Sequence, residues 1–366
     1  MDEGHCVLRL EMARYTGAMM SARNWFALLA VLLIGSCGTA QFYSQALGGQ
    51  MEIWRKSRPN ADVRADPAVP VDVKRRLEFI EELRAFAARE LDLPTKSFGK
   101  YCDLKRPYVV WVVFAAPEFS VEAKRWWYPL VGSLKYRGFF NEKDAKEEGE
   151  RLKQQGLDVF VGGVEAYSTL GYFKDPVLNT FLHRSDFELA ELVFHELTHA
   201  KLFIPGDTDF NEAFATANAE NGVRRWLRSK GDLKGLAAYE AKLKKSREVI
   251  HLLLNTREKL RGVYASTHAS VETERLAKQR VFEDMLKQAL KIRPNVSVSQ
   301  KHTVTAAQKW NNARLNTVAA YYTMVPGFER LLGKHGGSLE AFYREVSAMR
   351  KLSNEERMRI LGVDAR

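Results

Sequence analysis

The feature that most constrains this chain is the octet Val193-Phe194-His195-Glu196-Leu197-Thr198-His199-Ala200. Leu189, Leu192, Val193, Leu197, Ala200 and Phe203 recur around it with the spacing of an amphipathic helix. On that helix His195 and His199 lie one turn apart on the same face, so both imidazoles reach one point. Imidazoles turned into an apolar interior need a buried partner, and a zinc ion accepts both. Glu196 is about 100° round the helix from His195, beside that point rather than on it. A general base for a metal-activated water belongs there. The plain alternative is a helix on which two histidines and a glutamate are neighbours by chance.

The helix stops at Ile204-Pro205-Gly206, a breaker pair. A second one follows at Asp209-Phe210-Asn211-Glu212-Ala213-Phe214-Ala215-Thr216, and Glu212 admits two readings. In one, Asp209 is the N-cap and Glu212 the third residue of a capping box, bound to backbone amides. In the other, Ala213, Ala215, Thr216, Ala217 and Ala219 let this helix approach the first closely, and Glu212 becomes the third metal ligand. Glu220, two turns on, is the fallback ligand. Two His and one Glu leave a fourth position open for water, the pattern of catalytic rather than structural zinc.

These residues resemble a known family. His195-Glu196-x-x-His199 followed by Asn211-Glu212-Ala213-Phe214-Ala215 is similar to the gluzincin metallopeptidases, the Asn-Glu-x-Phe-Ala run being like that of aminopeptidase N-like enzymes. The separation between the second His and the Glu is shorter here than in those enzymes. A bacterial family of putative aminopeptidase lipoproteins is the closer resemblance. It extends through Tyr43-Ser44-Gln45-Ala46-Leu47-Gly48-Gly49-Gln50, Tyr128-Pro129-Leu130-Val131-Gly132, Tyr167-Ser168-Thr169-Leu170-Gly171-Tyr172-Phe173 and Asn311-Asn312-Ala313-Arg314-Leu315. The resemblance implies a zinc peptidase in which His195, His199 and Glu212 hold the metal and Glu196 is the base, with a peptide as substrate. It also implies a tyrosine from the C-terminal part as oxyanion donor, for which Tyr264, Tyr321 and Tyr322 are candidates. A zinc endopeptidase with the same site, or a non-catalytic lipoprotein with a structural metal, are the rivals.

The compartment is read from the N-terminus. Trp25 to Gly35 is apolar, too short for an easy membrane span and suited to a signal peptide. Residues 1–18 carry Asp2, Glu3 and Glu11 and read as a mis-assigned start, with Arg23 supplying the positive flank after Met19 or Met20. Ile34-Gly35-Ser36-Cys37 resembles a bacterial lipobox, so residues 1–36 are expected to be removed and Cys37 acylated; the alternative is a signal peptide with an incidental cysteine. Gly38 resembles the pattern of lipoproteins sorted to the outer membrane, facing the periplasm. Cys102 is then the one remaining thiol and no intramolecular disulfide is expected. The net charge of +11 fits an anionic membrane surface as well as nucleic acid. No arginine-rich run or zinc-finger spacing supports nucleic acid.

The fold class expected is α+β and mostly helical, with a small mixed or antiparallel sheet on the zinc-binding helices and a C-terminal helical bundle. Residues 37–104 read as the anchor segment and a helical part, 105–230 as the catalytic α+β part and 231–366 as the helical end. Residues 55–70 read as a polar, Pro-rich loop, and Val71–Leu91 as a helix on the stripe Val73, Leu77, Ile80, Leu83 and Phe86. Tyr108–Phe114 reads as a buried strand with Leu130–Phe139 returning as its partner, Glu142–Gln155 as a helix and Asp158–Gly163 as another strand. Gly163–Tyr172 is expected to be the edge to which an extended peptide adds. Glu165 on it reads either as the anchor of a substrate α-amine or as an edge charge that blocks aggregation. Leu233–Leu260, Val271–Ile292, Thr305–Met324, Pro326–Leu332 and Leu339–Met349 read as helices, with Lys242, Lys244, Lys245, Arg275 and Lys278 on solvated faces. Trp310-Asn311-Asn312 reads as facing the cleft or as buried, satisfied amides.

Overall fold

The computed structural model describes residues 37–128, 132–166, 169, 174–292 and 309–363. The expected signal peptide and most of the Tyr167–Phe173 motif lie outside them. The chain divides into Met1–Leu47 and Gly48–Arg366. What is described of the first unit is the opening of helix α1 (Cys37–Lys56). Among the described residues no helix is long and apolar enough to cross a membrane.

In the second unit one core draws residues from Ile53 to Leu361. The expected helix over 71–91 is α3 (Val71–Glu90), begun by Pro70 and burying Leu77, Ile80, Leu83, Phe86 and Ala87. The stretch 55–70 is less loop-like than its composition predicts. It holds strand β1 (Arg58–Pro59) and the short helix α2 (Asn60–Ala65). A distant contact explains this, since the buried Asn60 amide donates to Glu81 at 2.6 Å and to the Phe98 carbonyl at 2.8 Å.

Among the described residues three small sheets take the place of the single one expected. β1, β2 (Lys100–Cys102) and β8 (Val177–Leu178) form one, antiparallel then parallel. The second has β3 (Val110–Pro117) at its centre, between β6 (Arg137–Phe139) and β7 (Leu157–Val164), both antiparallel to it. β3 is apolar nearly throughout because both its faces are covered, by α4 (Glu142–Gln154) and by α9 (Asn312–Tyr322). Of the described part of the expected partner 130–139, only Arg137–Phe139 pairs with β3. β5 (Gly132–Leu134) instead folds back on β4 (Trp126–Tyr128) as a separate ribbon. Gly132 explains the reversal: its φ is +84°, and an added Cβ would lie 2.8 Å from the Gly206 nitrogen. The glycine of the Leu47-Gly48-Gly49-Gln50 run is required in a similar way, because a Cβ on Gly49 would overlap the Phe140 ring.

The metal-helix candidates are α5 (Asp186–Lys201) and α6 (Thr208–Ser229). α9 packs on both β3 and α6, so it links the sheet to the second of them. α9 starts at Asn312, later than the expected 305, and residues 305–308 lie outside the described set. The amides ahead of it are satisfied rather than open to a cleft. Asn311 donates to the Val159 carbonyl at 2.9 Å, and Asn312 to the carbonyls of Pro117 and Glu118 at 3.2 and 2.9 Å.

The helical C-terminal part is as expected, with α7 (Leu233–Ala265) and α8 (Val271–Ile292) as a hairpin around Leu252, Leu253, Leu260, Phe282 and Met285. α10 (Val325–Lys334), α11 (Leu339–Ala348) and a further helix, α12 (Asn354–Ile360), close the core. The fold is α+β and mostly helical. The charges assigned to solvated faces are partly tied down, Lys278 to Asp158 at 2.6 Å and Arg275 to Glu118 at 2.6 Å.

Candidate metal centre

Helix α5 opens on a full capping box. Ser185 donates both its amide, at 3.2 Å, and its hydroxyl, at 2.8 Å, to the Glu188 carboxylate, which fixes the first turn of the helix. Thr198, inside the His-Glu-Leu-Thr-His run, returns its hydroxyl to the Phe194 carbonyl and accepts Asn218 Nδ2 of α6 at 2.8 Å. That bond ties the last turn of α5 to the middle of α6. Ala213, Ala215, Ala217 and Ala219 are buried, the small residues expected where α6 lies close to a neighbour.

The helix start decides how Glu212 is used. Asp207, not Asp209, is the N-cap of α6, accepting the Phe210 amide at 3.3 Å. Glu212 is therefore the fifth residue of the helix, beyond the turn whose amides need capping. Its side chain reaches α5 instead. Glu212 Oε2 lies 3.2 Å from His195 Nε2 and 3.6 Å from His199 Nε2, and the two Nε2 atoms are 3.2 Å apart. The three potential ligand atoms all fall within 4.8 Å of one another.

The buried surroundings sharpen the chemistry. Burial alone would push the Glu212 carboxyl up, yet the His199 and His195 imidazoles hold it well below the ordinary carboxylate range. Burial would lower His199, but Glu212 and Glu196 raise it. Two imidazoles and a carboxylate this close demand positive charge between them, which a shared proton or a divalent cation supplies. The donor set, two nitrogens and one carboxylate oxygen, is the one zinc takes at catalytic sites. Glu196 sits beside the cluster. Burial raises its carboxyl above the ordinary value, the two histidines oppose this, and Glu212 and Asp175 add to it.

Other expected residues are placed elsewhere. The fallback ligand Glu220 is occupied by Arg247, 2.7 Å away, and lies outside the cluster. Tyr264 gives its hydroxyl to Asn312 at 2.9 Å and is influenced by Asp158, Glu274 and Glu118 rather than by the cluster. Tyr322 is influenced by Glu191, Glu220 and Arg247 rather than by the cluster, and the side chain of Tyr321 lies outside the described residues. Glu165 follows β7 and pairs with Arg184 at 2.7 Å, so it offers no spare carboxylate to an amine. Among the described residues β7 lies at the edge of its sheet; the edge expected over 163–172 falls mostly on residues 167, 168 and 170–173, outside the described set. The side chain of Cys37 is likewise outside it.

Three residues, Asp207, Arg357 and Tyr136, were missed from sequence, and the role of a fourth, Asn211, was not read. Asn211 grips the breaker turn by accepting the Ile204 amide and donating to the Ile204 carbonyl, both at 2.8 Å. Asp207 caps α6 and is held by Arg357 of α12 at 2.7 Å. Tyr136, just before β6, stands in the field of the Glu212 and Glu196 carboxylates. No local pattern marks Asp207, Arg357 or Tyr136; Asn211 was visible as part of the Asn-Glu pair.

A family model described as "Putative aminopeptidase" matches residues 41–361. No curated protein and no solved structure matches the chain.

Proposed function

The chain belongs to the putative aminopeptidase family, and from that premise we propose that it is a zinc-dependent peptidase. His195, His199 and Glu212 would hold the metal and Glu196 would be the general base. The observation that carries this reading is the convergence of three donor atoms within 4.8 Å, with an acid of raised pKa on the next residue round the helix. Zinc in that position supplies Lewis-acid polarisation of a water and of the scissile carbonyl. Glu196 takes the proton the water gives up as its oxygen bonds the carbonyl carbon. It passes that proton to the amine as the carbon–nitrogen bond breaks, so one water and one peptide yield one carboxyl and one amine terminus.

The test is zinc content together with cleavage of aminoacyl-amides and internally quenched peptides. E196Q should retain zinc and lose turnover. A zinc-loaded protein that cleaves nothing supports the structural-metal alternative instead.

One observation favours an endopeptidase. Glu165, the candidate anchor for a free α-amine, is paired with Arg184. Peptides blocked at the N-terminus decide between the two: an aminopeptidase spares them and an endopeptidase cuts them. A lipid tether at Cys37, facing a bacterial periplasm, is a separate part of the reading. It is supported by the apolar run before that cysteine, and is tested by the mass of the mature N-terminal peptide.

A further inference from the structure

A cavity of about 330 Å³ opens against the turn joining α5 to α6, a volume at the low end of small-ligand sites. Its wall draws on the two ends of the β4–β5 ribbon through Arg125 and Lys135, and on the head of α6 through Thr208 and Asp209. Met324, ahead of α10, and Met358 of α12 complete it.

Most polar groups around this cavity are already used. Arg357 spends its guanidinium on Asp207 and on the Met349 and Leu352 carbonyls, and Asp207 takes the Phe210 amide as the cap of α6. Four groups keep spare capacity. Arg125 binds Ser133 through Nε and the Ser133 and Gly206 carbonyls through Nη2, which leaves Nη1 open among the described residues. Lys135 gives one of its three protons to Asp209 Oδ2 at 2.6 Å. Thr208 is only 6% exposed, yet its hydroxyl has no hydrogen-bond partner. Asp209 Oδ1 is buried and likewise without one. A buried polar atom left unpaired is costly, and here two of them belong to consecutive residues of one cavity wall. Burial raises the Asp209 carboxyl above its ordinary value in spite of Lys135, so this carboxylate is short of positive charge.

Spare cationic donors beside a bare carboxylate oxygen suit a ligand that carries both charges. We propose that the cavity binds a free α-amino acid as its zwitterion, the carboxylate on Arg125 and Lys135 and the ammonium on Asp209 Oδ1 and the Thr208 hydroxyl. The amides of Thr208 and Asp209, left open by the Asp207 cap, add donors for the carboxylate. An anion alone would leave Asp209 Oδ1 bare, and an amine alone would meet Arg125 and Lys135 with nothing to offset them. Met324 and Met358 form an apolar wall, so leucine fits better than glycine or aspartate. An amino acid held there links the ribbon to the first turn of α6, one turn ahead of Glu212.

The proposal goes beyond the peptidase reading and does not depend on it. Calorimetry and thermal unfolding of the full chain test it with L-leucine, 4-methylpentanoate and 3-methylbutylamine, both zinc-loaded and in a chelator. Leucine should bind one site with a Kd on the order of 1 mM or tighter and raise the melting temperature in both conditions. The two analogues lack the ammonium and the carboxylate respectively, and should bind at least about tenfold more weakly. T208V removes the unpaired hydroxyl at nearly constant shape. Its unliganded melting temperature should be unchanged or higher, and its leucine affinity lower by at least about tenfold. D209N should reverse the preference, losing leucine and gaining 4-methylpentanoate. Leucine binding that vanishes in the chelator belongs to the metal centre, which overturns the site and leaves the peptidase reading intact. If 4-methylpentanoate binds wild type as tightly as leucine, the cavity takes anions only and the zwitterion is overturned. Unchanged leucine affinity in both variants, or no binding at millimolar leucine, overturns it equally.

Discussion

Replacing Arg357 by methionine tests how the candidate metal centre is braced. The Arg357 guanidinium approaches Asp207 Oδ2 at 2.7 and 2.8 Å, donates to the carbonyls of Met349 and Leu352, and stands 5.6 Å over the Phe210 ring. Both partners are buried, their side chains only 8% and 5% exposed. Asp207 would keep Asn354 at 3.0 Å and the Phe210 amide, neither of which neutralises a buried carboxylate. Leaving one member of such a pair alone costs about 3–5 kcal/mol. At about 2–4 °C per kcal/mol for chains somewhat smaller than this one, the melting temperature of R357M should fall on the order of 10 °C. Thermal unfolding is followed in a chelator, so that metal binding does not contribute to the difference. D207N/R357M should recover most of the loss, since the stranded charge is gone and Asn is a good N-cap. An R357M protein within about 1 kcal/mol of wild type would refute the claim that this pair is buried and braces the turn.

E212Q should lower zinc affinity about 100-fold or more, whereas E220Q should leave it unchanged; titration with a competing chelator reads both. Glu188 is held at about 2, first by the Ser185 hydroxyl and then by Lys242. A depressed carboxylate contributes stability above its unfolded value of 4.5 that is lost as pH falls towards 2. Its side chain is 42% exposed, so screening limits the effect to about 1 kcal/mol. Acid titration of E188Q should accordingly show a shallower loss of stability across that window than wild type. Burial pushes the Cys102 thiol up to about 11, with Glu52 and Asp103 adding and Lys56 opposing. In a C6S/C37S background a maleimide should therefore label nothing in native protein and one site in denaturant.

Much of this arrangement is legible in the sequence, for identifiable reasons. α3 and α5 carry apolar residues at helical spacing, and that period survives any tertiary context. β3 is recognisable because a strand covered on both faces is apolar throughout. The histidines follow from a one-turn spacing, which is a local property. The β4–β5 ribbon is hidden because it depends on Gly132 taking a positive φ against Gly206, two residues 74 positions apart. Tyr136 is hidden with it: nothing in its neighbours indicates that it comes under the influence of the Glu212 and Glu196 carboxylates. The commitments of Glu220 to Arg247 and of Glu165 to Arg184 likewise require knowing which helices meet.

Glu212 shows where local pattern stops being sufficient. Asp207-Thr208-Asp209-Phe210-Asn211-Glu212 offers two N-caps two residues apart, and aspartate is equally good at either. Starting at Asp209 would place Glu212 in the first turn, where a capping box would use its carboxylate. Starting at Asp207 puts it in the second turn, free to cross to α5. The choice between these frames is made from outside the helix. Arg357, 150 residues further on, neutralises Asp207 in a buried position, while Lys135 draws Asp209 towards the ribbon. Asn211 reinforces the earlier start by holding Ile204 on both its amide and its carbonyl. Beginning the helix two residues earlier moves Glu212 out of the first turn, where its carboxylate would be drawn to backbone amides, and into the second, where it is left to cross to the histidines.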